Sequence, residues 1–230
     1  MSDIITVPFV FDKDTYLKWI RFEKYDDLSS EIESMLNEIL PIVKPRIMLK
    51  ETSVDSVSRG ESCMEGHVFH SEVLAWNLSR TDRVWAYVIS CGTEIYEKIV
   101  QEDDPLKQYW IDALAELAVQ FASDYLNEYL KKSVSLTENE QLTFMNPGSA
   151  DRDIWDLKDQ KTLFDLMGDV EGSIGVSLSE GVLMTPSKSL SGLYFKTEEG
   201  FVSCWVCSQP HCKTRRAVYK SDFLKREGVS

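Results

Sequence analysis

The sequence predicts an α+β protein, and three observations carry that expectation. Stretches with helical periodicity and stretches that alternate like strands do not follow one another regularly, as a βαβ protein would require. No repeat with a period of 20–50 residues is visible. The last third alternates short apolar runs with Gly, Pro and Ser, in the manner of an antiparallel sheet. At 230 residues the chain is expected to form one domain, 1–230, which at this size would bury roughly 70% or more of its unfolded surface and need no disulfides.

The first strong element is "DDLSSEIESMLNEILP", where Leu28, Ile32, Met35, Leu36, Ile39 and Leu40 recur at three- and four-residue spacing on one helix face. Asp26 or Asp27 is expected to cap it and Pro41 to end it. "RIMLKETSV" reads as a strand through the alternation of Ile47 and Leu49, and residues 52 to 66, rich in Ser, Glu and Gly, read as a loop. "DRVWAYVISCG" is the strongest strand, dense in β-branched and aromatic residues. "TEIYEKIVQED" predicts a short helix. The stretch from Pro105 to Lys132 predicts a long one, with Pro105 in its first turn and Leu114, Leu117, Ala118, Phe121 and Tyr125 on its apolar face. Residues 133 to 152 are polar, contain Asn146-Pro147-Gly148, and are expected to be a long connection; such loops are often functional. "LKDQKTLFDLMG" then predicts a compact helix ended by Gly168.

Charge and hydropathy exclude some functions. The net charge of −13 is wrong for a nucleic-acid binder, which needs a basic face to neutralise phosphates. No apolar run approaches the roughly 18 residues that cross a bilayer, and the start lacks the basic and apolar regions of a signal peptide, so a cytoplasmic location without membrane partners is expected. One basic cluster stands out, with Lys213, Arg215, Arg216, Lys220, Lys225 and Arg226 in the last eighteen residues. It reads as a solvated tail, or as a patch that offsets nearby thiolates or touches an acidic partner.

The chain has no phosphate-binding loop, nucleophile elbow or His-Glu-x-x-His pair. "GSIGVS" precedes a strand and so is not a dinucleotide fingerprint. "SCMEGHVFH" brings Cys63, His67 and His70 together in sequence, a spacing read as loop and helix-start residues before it is read as ligands. Three of the five cysteines, Cys204, Cys207 and Cys212, fall in "CWVCSQPHC" with the spacing Cys-x2-Cys-x4-Cys. A Cys-x2-Cys pair closes readily on zinc or on an iron–sulfur cluster, whereas a disulfide is disfavoured in a reducing compartment. Two readings stand: a zinc or iron–sulfur site, near one per chain and released by Cys207→Ser, or three reduced thiols. A fourth ligand would come from His211, Cys63, Cys91 or the His67/His70 pair.

Residues 146 to 195, "NPGSADRDIWDLKDQKTLFDLMGDVEGSIGVSLSEGVLMTPSKSLSGLYF", carry a resemblance. Pro147-Gly148, Leu163-Phe164, "IGVSLSE", Met184, Pro186 and "SLSGLYF" occur in an order and spacing similar to those of the activation (S-adenosylmethionine-binding) domain of cobalamin-dependent methionine synthase. The stretch resembles still more closely the free-standing reactivation-domain proteins of anaerobic bacteria. Looser similarity extends over the remainder, including "KPRI" at 44 to 47 and the long helix. The resemblance implies a bent, largely antiparallel sheet flanked by helices, with a shallow groove that holds S-adenosylmethionine. It implies docking on a corrinoid protein or cobalamin-dependent methyltransferase whose cobalt has slipped to Co(II), where one electron and the methyl of S-adenosylmethionine restore methylcobalamin. The domain's task is then positioning. The chain would be a component of that methyltransferase activity rather than a stand-alone catalyst.

Residue by residue, the family's ligand loop Arg-x-x-Pro-Gly-Tyr reads "FMNPGS" here. Phe144 stands at the arginine position and Ser149 at the tyrosine position, with Arg152 a few residues on as a substitute. The resemblance further implies ligand contacts by Pro147 and Gly148, by Gln120 or Asp124 on the long helix, by the backbone of Ser189, Ser191 and Gly192, and by Tyr194. Lys188 reads as a solvated residue or a contact to an anionic group. From the loop alone, S-adenosylmethionine is expected to bind roughly ten- to hundred-fold more weakly than with the full pattern. Tyr194→Ala is expected to impair reactivation without unfolding the domain. The chain lacks the Asp-x-His-x-x-Gly loop that ligates cobalt in corrinoid proteins of this kind, so cobalamin would arrive on the partner. Two alternatives are a corrinoid-protein-binding module without S-adenosylmethionine binding, and a small metal or iron–sulfur redox protein.

Overall fold

The computed structural model describes residues 2–22, 26–149, 154–198, 200–212, 215–226 and 228–229. In chain order the elements are β1 (Asp3–Thr6), α1 (Lys13–Trp19), α2 (Ser29–Ile39), β2 (Arg46–Ser53), β3 (Ser56–Ser58), β4 (Glu61–Met64), β5 (His67–His70), α3 (Glu72–Leu78), β6 (Arg83–Ser90), α4 (Thr93–Gln101), α5 (Pro105–Ser133), β7 (Gln141–Met145), α6 (Asp159–Met167), α7 (Val170–Ile174), β8 (Ser177–Leu178), β9 (Met184–Thr185), β10 (Ser189–Thr197) and α8 (Phe223–Arg226). This is the expected α+β class.

The main sheet has the order β1-β2-β6-β10-β7, and every neighbouring pair is antiparallel. Central β6 explains why the sheet has no wet face. Of its eight residues only Arg83 is exposed, because Trp85, Tyr87 and Ile89 point into one apolar cluster while Val84, Ala86 and Val88 point into a second. The first cluster lies under α5, with Trp110, Leu114, Ala118, Ala122 and Leu126 packed on Ile47, Leu49 and Tyr194. The second collects Phe69, Leu74, Trp155, Leu163 and Met167 from the smaller sheet, α3, α6 and the segment just before α6. Strand alternation in β10 divides the same way: Tyr194 faces α5, whereas Leu193 and Phe195 face α6.

The structure corrects three expectations. Residues 52 to 66 are not a loop but contain β3 and β4, which with β5 form a three-stranded antiparallel sheet. Their polar residues misled because only alternate positions, Ser62, Met64 and Phe69, are buried. The tight turn at Glu65-Gly66, with φ of 49° and 78°, is the double left-handed geometry that joins two-residue hairpins. The 133–152 connection contains β7, whose Thr143 and Met145 are buried on one side while Leu142 and Phe144 pack toward the α5 cluster. The end of α2 is as expected, since the helix stops at Ile39 and Pro41 lies in the 3-10 turn Leu40–Ile42 that follows. The cap position of α2 falls on Leu28 rather than on Asp26 or Asp27, and Leu28 makes no side-chain cap bond. By contrast α5 begins as expected, with Pro105 in the first turn and the Asp104 carboxylate accepting from the Leu106 and Lys107 amides. Among the described residues no helix is long and apolar enough to cross a membrane.

Candidate functional site

A groove of about 980 Å³ runs between the second half of α5, the β7 edge with the adjoining part of β10, and the segment from Gly200 to Arg216. Its size is at the upper end of the range for small-ligand pockets. Its base is aromatic. The Tyr194 ring lies 5.2 Å from Tyr87 and 4.9 Å from Phe144, both tilted by nearly 50°, and the Arg216 guanidinium stands over Phe144 at 4.2 Å from the ring centre. Such a tier sets a cation over an aromatic base. The Tyr194 hydroxyl titrates well above the ordinary phenol range, chiefly because it is buried; the Arg216 charge opposes the shift and the Asp124 charge adds to it.

The inner corner is held by Asn146. Its side-chain amide donates to the Tyr87 hydroxyl and to the Ser191 carbonyl, each at 2.6 Å. Gly192 makes this corner possible: a Cβ there would sit 2.4 Å from the Met145 carbonyl oxygen and 2.9 Å from the Tyr87 hydroxyl. Burial keeps the Tyr87 hydroxyl protonated far above its usual range, so it persists as a neutral partner.

The Cys-x2-Cys-x4-Cys segment forms the outer wall, since Cys204, Cys207 and Cys212 all line the groove. What organises it is Arg215. Its guanidinium donates to the carbonyls of Cys204, Cys207 and Ala217 at 3.3 Å each, and to that of Gln209. The Arg216 amide points at the Cys204 sulfur, 3.4 Å away. Among the described residues no group of three or more His, Cys, Asp and Glu side chains is placed to hold a metal ion. Of the proposed additional ligands His211 adjoins Cys212 in the chain, and the others lie elsewhere. Cys91 is fully buried, and burial pushes its thiol up to about 12; His67, His70 and Cys63 belong to the smaller sheet. His70 instead faces Glu61 and the buried Asp159, whose carboxylate accepts from the His70 amide and the Trp155 indole. The basic tail is also not merely solvated: Lys220 stands 3.3 Å over the Trp205 ring. Lys213 lies outside the described residues.

On the opposite wall α5 presents Gln120, Ser123, Asp124 and Asn127, which recur at helical spacing on one face. One turn and two turns earlier the same stripe carries Glu116 and Asp112, and these take Lys188, at 3.5 and 3.0 Å. Lys188 is therefore committed to the helix rather than solvated or available to an anion.

Of the residues singled out in the sequence, Gln120, Asp124, Ser149 and Tyr194 line the groove together. Pro147 is buried and Gly148 shapes the loop, with φ of 71° and its amide donating to the Trp155 carbonyl at 2.9 Å. Ser189 and Ser191 are expected to act through their backbone; their side chains are engaged within the protein, the Ser189 hydroxyl donating to the Pro186 carbonyl and the Ser191 hydroxyl to the Gln160 side chain. Leu190 takes the lining position between them. Gly192 gives the Asn146 corner its space, and Arg152 lies outside the described residues. Sequence reasoning missed Asn146 and Arg216. The first was hidden in a turn motif. The signal for the second was the Cys-Lys-Thr-Arg-Arg order itself, which ties the arginines to the cysteine wall.

The sequence pattern of the vitamin B12 dependent methionine synthase activation domain matches residues 47–202. Among solved structures, the crystal structure of the MetH reactivation domain bound to AdoHcy superposes with a TM-score of 0.62 at 16% identity, covering 100% of this chain and 86% of that one. No curated protein matches the chain in sequence.

Proposed function

The chain belongs to the activation-domain family of vitamin B12 dependent methionine synthase, and from that premise we propose that it serves the reductive remethylation of a cobalamin-dependent methyltransferase, holding S-adenosylmethionine in the α5–β7 groove. The observation that carries this reading is the groove itself: an aromatic tier of Tyr194 and Phe144 with a cation on one wall and the Asp124 carboxylate on the other. A sulfonium nucleoside with an amino-acid end has matching parts, namely a flat base, a positive centre and a zwitterion. The solved relative is bound to AdoHcy, the product left when the methyl group departs.

Cobalamin would arrive on the partner and supply the methyl-accepting cobalt. With one electron from a separate low-potential reductant, the partner's cobalt would accept the sulfonium methyl group, and S-adenosylhomocysteine would leave. What this chain's residues do is bind and orient the donor, so that a two-cofactor reaction becomes a step within one complex. The net charge of −13 supports a protein rather than a nucleic-acid partner. The metal-centred redox reading has less support, because the described cysteine wall is held by Arg215.

Docking of this kind is transient, and a modest interface with micromolar affinity is expected. Because only the inactive cobalt state needs the visit, the protein should bind a Co(II) corrinoid methyltransferase more tightly than the methylated form. Titration of both forms, followed by the corrinoid absorption spectrum, checks this. Equal affinity for the two would contradict the proposed reactivation role.

A further inference from the structure

The groove is lined by several charged side chains, and most are already committed. Among the described residues Lys131 pairs with Glu128 at 2.9 Å, and Arg215 is spent on four backbone carbonyls. Glu140 pairs with Lys196 at 3.8 Å and accepts from the Thr137 amide. That leaves one lining cation and one lining carboxylate without an ion pair among the described residues: Arg216 from the C-terminal segment and Asp124 from α5.

Arg216 is also prepared for a particular task. Its backbone amide is fixed to the Cys204 sulfur and its guanidinium lies over the Phe144 ring. A cation–π contact of this kind holds the guanidinium at the groove without consuming its N–H donors. A planar fork held this way matches a carboxylate, which it can bind with two parallel hydrogen bonds. An exposed lysine would offer only a mobile point charge.

We infer that Arg216 binds the carboxylate of the ligand's amino-acid end, with Asp124 across the groove taking its ammonium group. Arg216 lies beyond the residues that match the family pattern, 47–202, so the assignment belongs to this chain's own C-terminal segment. It rests on the reading of the groove as an S-adenosylmethionine site and adds to it the residue that selects the zwitterionic end. An isolated anion is disfavoured by the protein's net charge of −13, whereas a zwitterion with its two ends on Arg216 and Asp124 meets no such penalty.

The test is calorimetric titration of the whole chain with S-adenosylhomocysteine and with its decarboxylated analogue, which lacks only the carboxylate. The wild-type chain should prefer S-adenosylhomocysteine by roughly ten- to hundred-fold, the value of one charged hydrogen-bonded contact. Arg216→Gln should erase that preference while leaving the analogue's affinity unchanged, and Arg216→Lys should restore part of it. Arg216 is exposed, so the variants should melt with the wild type. A preference that survives Arg216→Gln, or an equal loss of both ligands, would overturn the role of Arg216 and leave the site standing. Failure of the wild type to bind either ligand would overturn the site and this inference together.

Discussion

Gly192→Val will loosen the β7–β10 edge of the sheet before any ligand is added. The cause is local and steric. The first added carbon would meet the Met145 carbonyl oxygen at 2.4 Å and the Asn146 amide nitrogen at 2.8 Å, so β7 must move away from β10 or the Asn146 corner must open. Overpacking of this kind costs about 1–3 kcal/mol. Breaking the two hydrogen bonds of Asn146 adds about 0.5–1.5 kcal/mol each. Urea unfolding should therefore show a midpoint shift corresponding to several kcal/mol, with ligand binding lost alongside. An unchanged midpoint would mean that β7 does not pack on β10 as described.

The second large effect concerns Tyr194, where the structure changes the expectation drawn from sequence. Tyr194 is 1% exposed and belongs to the α5-facing core as well as to the groove. Tyr194→Ala would leave a cavity between Tyr87 and Phe144 and cost about 3–5 kcal/mol, so it cannot report on function alone. Tyr194→Phe keeps the ring contacts at 4.9 and 5.2 Å and removes only the hydroxyl, at about 1 kcal/mol. Chemical denaturation of the pair should separate them by at least 2 kcal/mol. Equal stabilities would show that the Tyr194 ring is not a core member.

How much of this was legible follows from where each signal sits. Strand β6 and helix α5 were read correctly because each is long and its burial pattern follows from its own residues. β7 and the smaller sheet were not, because short strands with one polar side have the composition of loops and are buried only by distant partners, the Phe201 carbonyl that accepts from the buried Thr143 hydroxyl being one. Tyr194 was found as a groove residue through a motif. For Ser189 and Ser191 the motif gives a stretch of backbone, whereas the two-residue period of the strand decides which side chains reach the groove. Arg216 was read as part of a basic tail, since nothing local in sequence says that Phe144, 72 positions earlier, would lie beneath it. The expectation of weak binding was drawn from the 144–149 loop alone and left this arginine out.

The central claim is that the groove delivers a methyl group to a partner's cobalt. The most direct measurement mixes the protein with a corrinoid methyltransferase poised as Co(II), a low-potential one-electron reductant and S-adenosylmethionine carrying an isotopically labelled methyl. The Co(II) signal is followed by electron paramagnetic resonance and the label by its appearance on cobalamin. The account predicts that the Co(II) signal decays and labelled methylcobalamin accumulates when the chain is present, at a rate that falls in Arg216→Gln. Labelled methylcobalamin forming at the same rate with and without the chain, or not forming at all, would contradict it.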